Sequence, residues 1–249
     1  QFSQEVNLVG ETDDNQFNYV VGGYYFRETG EEFATDEIGL INLLSPRHIG
    51  AKNIASAVYG TLGWRPGGTS PFSVTLGARY TKDKRQANNF IVPGVESTYS
   101  KFTPSLVLDY QLNEDASVYG KIATGYNAGG YNMRAADFTT PFGPESLISY
   151  ELGLKSELLD RRLRINAAAF YSDYDDIQFT ITVPGQPDPA FTQTLNAGKS
   201  NIYGAELDVS MLVTNDLIAS FSYGYLGSKY KEVPLGDSTD LYRAANAPK

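Results

Sequence analysis

Between Phe72 and Thr81 the chain reads FSVTLGARYT, so that Phe72, Val74, Leu76, Ala78 and Tyr80 share one side of an extended chain while Ser73, Thr75, Gly77, Arg79 and Thr81 share the other. Side chains alternate across a strand, whereas a helix repeats its apolar face every three or four residues. The pattern therefore selects a β-strand with one apolar and one polar face. It returns at Phe102, Leu106, Leu108, Tyr110 and Leu112, again from Tyr203 to Met211, and again from Leu217 to Tyr225. Even SYELGLKSELLDRRLRINAAAFYSDY, Ser149 to Tyr174, follows the same rule despite its helix-forming composition. Tyr150, Leu152 and Leu154 alternate with Glu151, Gly153 and Lys155, then Leu163, Ile165 and Ala167 alternate with Arg164 and Asn166, and LLDRR between them reads as a tight turn.

Counted along the chain, the alternation predicts about ten strands, near 2–9, 16–27, 49–64, 71–82, 101–112, 117–127, 147–158, 162–172, 201–212 and 217–227. Their connections alternate in length. Short turns are expected at Gly10–Asn15, Arg65–Ser70, Asn113–Ala116, Leu159–Arg161 and Val213–Asp216, and long loops at Glu28–His48, Asp83–Ser100, Asn127–Ser146 and Asp173–Ser200. Regular exchange of tight turns and long loops marks an up-and-down barrel with short turns at its periplasmic rim and long loops at its extracellular rim.

The polar faces carry Arg79, Glu151, Lys155 and Arg164, which an apolar core would not tolerate but a wet lumen would. The fold class expected is thus all-β, a transmembrane antiparallel up-and-down β-barrel with its aliphatic stripe against lipid. A mean hydropathy of -0.30 is compatible with this, because only alternate residues of each strand face hydrocarbon. Trp64, Tyr80, Tyr110, Tyr126, Tyr171 and Tyr225 are expected at the membrane interfaces. A net charge of -9 argues against a nucleic-acid partner, which needs a basic surface. Counting strands puts both chain ends at the extracellular rim, so an internal piece of a larger barrel is expected rather than a closed one.

VYGKIATGYNAGGYN at 118–132, PESLISYELGLKSELLDRRLRINAAAFYSDYDDIQ at 144–178 and NAGKSNIYGAELDV at 196–209 resemble the barrel domain of TonB-dependent outer-membrane receptors, as do FNYVVGGYYFRE at 17–28 and LGARYTKDKR at 76–85 more loosely. The resemblance implies that residues 1–249 are the middle of a barrel of twenty-two strands, with the plug domain and the last strands outside the chain. It further implies active uptake of a scarce solute in the outer membrane of a Gram-negative bacterium. A ferric siderophore or similar chelate is the substrate class common in the family, with cobalamin, other metal chelates and carbohydrates open. The partners implied are the lipid bilayer with its lipopolysaccharide, the plug, the TonB complex and the solute; no cofactor and no enzymatic activity are implied. In the loop Gly125–Ser146, Tyr131, Arg134 and Asp137 are the candidates for ligand contact, since Tyr and Arg can stack on and pair with an anionic chelate. A flexible polar loop without ligand contact is the competing reading of each.

Other motifs carry less. Gly198-Lys199-Ser200 lacks the glycine of a P-loop, position 193 being Gln193, and Asp173, Asp175 and Asp176 lack the Gly and Glu of a calcium loop. His48 is the single histidine and no G-x-S-x-G elbow accompanies it, so no catalytic or metal residue is assigned. The alternative functions are a passive porin-like barrel, an enzymatic outer-membrane barrel, or a barrel fragment whose open edges enter another β assembly, including a cross-β one.

Overall fold

The computed structural model describes residues 1–38, 43–89, 94–133, 138–182, 192–196 and 198–231. In chain order the strands are β1 (Phe2–Glu11), β2 (Phe17–Ile38), β3 (Leu43–Trp64), β4 (Phe72–Asn89), β5 (Val95–Asn113), β6 (Ala116–Asn127), β7 (Gly130–Tyr131) and β8 (Pro141–Phe142). They continue as β9 (Glu145–Leu158), β10 (Leu163–Asp175), β11 (Gln178–Thr182), β12 (Thr192–Asn196), β13 (Lys199–Thr214) and β14 (Leu217–Tyr230). Ten of them form one antiparallel meander in the order β1-β2-β3-β4-β5-β6-β9-β10-β13-β14, while β7 with β8 and β11 with β12 make two small hairpins inside long connections. All ten strands expected from the alternation are present, and the five turns between them are short.

The register explains why one face is apolar throughout. Leu62, Leu76, Leu106, Ile122, Tyr150, Tyr171 and Tyr203 are successive cross-strand partners, so the period of each strand adds up to rows across the sheet. This face is bare: Leu152 is 71% exposed, and Phe102, Phe221 and Tyr223 are open as well. A sheet folding in water would cover so continuous an apolar surface, whereas hydrocarbon requires it to be presented. Arg79, Glu151, Lys155 and Arg164 occupy the opposite face, as expected, with Arg164 lying 3.9 Å from Glu157.

Some of the 24 glycines and 18 tyrosines have a common cause. Tyr19 lies over its cross-strand partner Gly10, Tyr59 over Gly22, Tyr119 over Gly153, Phe170 over Gly204 and Tyr203 over Gly227, each ring filling the space a Cβ would take. Such aromatic cover of a glycine restores packing that the glycine alone would lose, and cross-strand pairs of this kind contribute about 0.2–1 kcal/mol each.

Crossing hydrocarbon takes only ~9–11 tilted residues, yet β2 and β3 each have 22, and the excess lies at the long-loop end. Here the sequence expectation needs correction. Of the loop expected at Glu28–His48, residues up to Ile38 belong to β2 and residues from Leu43 to β3, paired as far as Ile38↔Leu43, and much of Asp83–Ser100 likewise extends β4 and β5. Glu28, Glu31, Glu32 and Thr35 are polar on both faces because neither face meets lipid, so the alternation disappears while the backbone ladder continues.

The turn end is held by local bonds. Asp14 accepts from the Thr12 hydroxyl at 2.6 Å, the Gln16 amide at 3.1 Å and Gln16 Nε2 at 2.7 Å, and the first of these chiefly holds its carboxyl below the usual range. Beneath it the turn Pro66–Gly68 needs Gly68, which has φ 71 and abuts the Asp14 carbonyl. Leu159, Asp160 and Arg161 turn with φ of 55, 54 and 64, and Arg162 Nη2 reaches across to the carbonyls of Leu212 and Val213 at 3.0 and 3.1 Å.

Candidate functional site at the mouth

At the long-loop end the wall opens. Pairing of β5 with β6 stops at Ser105↔Ala123, while β6 stays with β9 up to Asn127↔Glu145. The chain then leaves the sheet and packs on the polar faces of β4 and β5. The Tyr131 hydroxyl lies 2.6 Å from Ser97 Oγ, and the Tyr99 hydroxyl donates to the Phe142 carbonyl at 3.0 Å. Ser97 and Tyr99 share the strand face of Thr103 and Ser105, opposite Phe102 and Leu106, so β7 and β8 are folded inward. The Ala128-Gly129-Gly130 run permits this approach, since a Cβ on Gly129 would stand 2.7 Å from Tyr99 Cζ and against the Phe142 carbonyl.

A second inward hairpin, β11–β12, is locked to the first by side-chain amides. Asn132 Nδ2 donates to the Thr194 carbonyl at 2.8 Å and its Oδ1 accepts from the Thr194 amide at 2.5 Å, so it pairs with Thr194 as a strand would. Asn196 accepts from the Gly143 amide at 2.5 Å and donates to the carbonyls of Gly143 at 3.0 Å and Asp176 at 2.8 Å. Gln178 Nε2 donates to the carbonyls of Ala128 and Gly143, both at 3.0 Å, and the Gln178 amide donates to Glu145 Oε2 at 2.9 Å. These bonds satisfy backbone groups that would otherwise be buried unpaired. Phe138, 3% exposed, together with Ala87, Ala128 and Asn132, is buried here, so part of the buried interior lies at the mouth.

Charge is also enclosed there. Asp83, 5% exposed, lies one polar-face step above Thr81 and beyond the Tyr80–Phe102 pair that ends the apolar face, outside the hydrocarbon span. Burial pushes its carboxyl up, opposed by Arg85 at 3.3 Å and, more weakly, by Arg79. Tyr126, expected at an interface, instead places a buried hydroxyl beside Asp83, because the wall opens exactly where β6 would have carried it to lipid. Trp64, Tyr80, Tyr110, Tyr171 and Tyr225 do face outward. Lower on the inner wall, the Arg79 guanidinium lies 5.5 Å from the Tyr24 ring centre and 5.3 Å from that of Tyr59. Tyr59 donates to Glu5 and, at 2.6 Å, to Asn7; Tyr119 donates to Glu151 at 2.6 Å and carries Lys155 over its ring at 5.1 Å.

Of the residues expected to contact ligand, Tyr131 stands in β7, half-buried with its hydroxyl held by Ser97, while Arg134 and Asp137 lie outside the described residues. Sequence reasoning did not single out Asn132, Glu145, Gln178 and Asn196. Their partners lie as far as 62 positions away, and a polar residue among glycines carries no local signal of such a bond. Among the described residues no group of three or more His, Asp or Glu side chains is placed to hold a metal ion.

An apolar-outside, polar-inside antiparallel meander with inward-folded loops at one end is the wall of a transmembrane up-and-down barrel. Residues 1–249 match the family model described as TonB dependent receptor-like, beta-barrel, and the chain belongs to that family. It is 32% identical over 202 residues to the pesticin receptor of Yersinia pestis, a match covering 76% of this chain and 28% of that one. A probable TonB-dependent siderophore receptor of Acinetobacter baumannii is 28% identical over 174 residues, 65% of this chain and 22% of that one. Among solved structures, the ferric yersiniabactin uptake receptor of Yersinia pestis superposes with a TM-score of 0.77 at 22% identity, covering 94% of this chain and 37% of that one. The matches thus span about a fifth to two fifths of the length of these proteins.

Proposed function

We propose that the protein to which this chain belongs is an outer-membrane receptor of a Gram-negative bacterium that takes up a ferric siderophore or similar chelate with energy delivered through TonB. The observation that carries the reading is the mouth: two hairpins interlocked by Asn132, Gln178 and Asn196 and folded onto the polar face, which narrow the entrance of a water-lined barrel instead of leaving it open. Relatives whose names specify siderophore and ferric-chelate receptors support the substrate class. In this reading the open edges β1 and β14 pair with further strands, a plug domain fills the lumen against Arg79, Glu151 and Lys155, and lipopolysaccharide surrounds the outward face above the membrane. Tyr131, Arg134 and Asp137 are then ligand-contact residues. Tyr131 contributes its ring, since its hydroxyl is engaged.

The test is uptake of radiolabelled iron from a panel of ferric chelates by cells that carry the full-length receptor as their single route. Uptake of one chelate that disappears on deletion of TonB, and falls with Arg134→Ala, is expected. Uptake independent of TonB would overturn the reading in favour of a passive barrel.

A further inference from the structure

Strand β6 contradicts its own alternation at the upper end. Its outward positions are Val118, Gly120, Ile122 and Thr124, and Tyr126 is next in that series, yet the Tyr126 hydroxyl is buried beside Asp83, an inward residue of β4. No inserted or missing residue produces this. Carried on from Ser105↔Ala123 without a register shift, the pairing of β5 with β6 would set Pro104 against Thr124 and Phe102 against Tyr126. Tyr126 would then stand outward in the row of Val58, Tyr80 and Phe102, all exposed, with its ring at the membrane interface and its hydroxyl in water.

The ladder stops at Pro104. In an antiparallel ladder alternate residues turn both N–H and C=O toward the same neighbour. The Gln111 amide donates to the Pro71 carbonyl on the β4 side, whereas Thr124 Oγ1 donates to the Pro104 carbonyl at 2.9 Å on the β6 side. Even-numbered residues of β5 therefore face β6. Pro104 has no N–H to give there, and Thr124 meets its carbonyl with a side chain instead of the backbone. Next in the series, Phe102 turns toward β6 and Tyr126 toward β5, each with its N–H and C=O unmatched by backbone among the described residues. Other groups are left wanting as well: the Tyr126 hydroxyl and Arg85 Nε are buried without a hydrogen bond, and Asp83, 5% exposed, has Arg85 at 3.3 Å beside it. Buried polar groups left in this state call for an explanation.

We propose that the upper ends of β5 and β6 form a pairing switch: the parted form, with Tyr126 against Asp83, exchanges with a zipped form in which Phe102 pairs with Tyr126 and the Tyr126 ring moves out to the membrane interface. The interlocked hairpins favour the parted form, as does Asn127, which donates to Glu145 and Gln178 at 3.3 and 3.2 Å. The two backbone bonds of Phe102 with Tyr126, and the release of the buried hydroxyl, favour the zipped form. Zipping uncovers Asp83 and carries Asn127 and Ala128, the root of β7, toward the wall, so the entrance widens while the rest of the ladder stays intact. This goes beyond the transport reading and does not depend on the solute.

Disulfide trapping in the full-length receptor, reconstituted in lipid vesicles with any native cysteine replaced by serine, tests it. Lys101→Cys/Asn127→Cys reports the zipped form, in which these positions become direct neighbours. Ser105→Cys/Ala123→Cys, paired already, reports the standing wall, and Ser105→Cys/Asn127→Cys joins positions that are neighbours in neither form. The Lys101/Asn127 pair is expected to crosslink about tenfold more slowly than Ser105/Ala123, yet clearly faster than Ser105/Asn127. Tyr126→Phe removes the buried hydroxyl and should slow the Lys101/Asn127 crosslink about tenfold, while Pro104→Ala supplies the missing N–H and should quicken it severalfold. Unchanged crosslinking of Ser105/Ala123 in both backgrounds verifies that the variants are folded. A Lys101/Asn127 rate no higher than that of Ser105/Asn127 would mean a permanently parted wall, and a rate equal to that of Ser105/Ala123 a permanently zipped one. An unchanged rate in Tyr126→Phe would mean a movement that Tyr126 does not govern, and each of these three results overturns the proposal.

Discussion

The wall of the barrel and the hairpins at its mouth are made by the same chain through opposite strategies. In the wall every strand pairs with the next in the sheet, alternate side chains within the hydrocarbon span are apolar, and stability comes from a repeating ladder with its apolar face against lipid. At the mouth the repeating pattern ends. Individual side-chain amides replace it, each fitted to particular partners, as Asn132 is to Thr194 and Asn196 to Gly143 and Asp176. A ladder tolerates substitution because its backbone bonds do not depend on side-chain identity. A set of single bonds does not, but it can be rearranged without breaking the wall, which is what the proposed uptake of a solute requires.

The wall should therefore fail only when its solvent is made wrong. Leu152 is open on the lipid side between the small residues Gly120 and Ala169, so Leu152→Arg puts a charge where nothing on the protein can shield it. Loss of about 2–4 kcal/mol is expected in urea unfolding of the full receptor in lipid vesicles. Amide exchange at Asn132 and Thr194 should be unchanged, and a change there would show that the two regions are coupled. The mouth should answer to a smaller insult: Asn196→Ala leaves the Gly143 amide and the Asp176 carbonyl without their side-chain partner, while Gln178 still reaches the Gly143 carbonyl, and the loss is worth about 1–3 kcal/mol of local stability. Exchange of the Gly143 and Gln178 amides should quicken about tenfold or more, while Leu152 and Leu154 stay protected. Slow exchange at Gly143 in the variant would mean that the backbone alone holds the hairpins.

This division also decides what the sequence could reveal. The strands were legible because their solvent differs on the two faces, and alternation such as Phe72 to Tyr80 records that difference directly. Where both faces meet water, as from Glu28 to Thr35, strand continued without alternation and read as loop. Turns were legible because Asp14, Gly67, Gly68 and Asp160 act on neighbours within a few residues. The mouth was not: the Ser97–Tyr131 bond spans 34 positions and the Gly143–Asn196 bond 53, and neither residue type announces its partner. Tyr131 was singled out for its ring chemistry, yet the bond that fixes it comes from Ser97, which composition gave no reason to notice. Tyr126 misled for a related reason, since its spacing fits the outward face and only the parting of β5 from β6 turns it toward Asp83.

The smallest effect expected is a gain, at the end of the wall farthest from the mouth. Leu159, Asp160 and Arg161 all take left-handed backbone conformations. Asp tolerates that region through local hydrogen bonding, but a Leu there sets its Cβ against the following carbonyl, at about 1–2 kcal/mol. The Leu159 side chain is 60% exposed, so little packing is lost on removing it. Leu159→Gly relieves the strain but adds freedom to the unfolded chain, which offsets part of the gain, leaving about 0.5–1 kcal/mol of stabilisation in the same urea assay. Exchange at the mouth should not move. Destabilisation by Leu159→Gly would mean that the side chain is held by the membrane interface, and that the turn, like the wall above it, owes its stability to the lipid rather than to its own backbone.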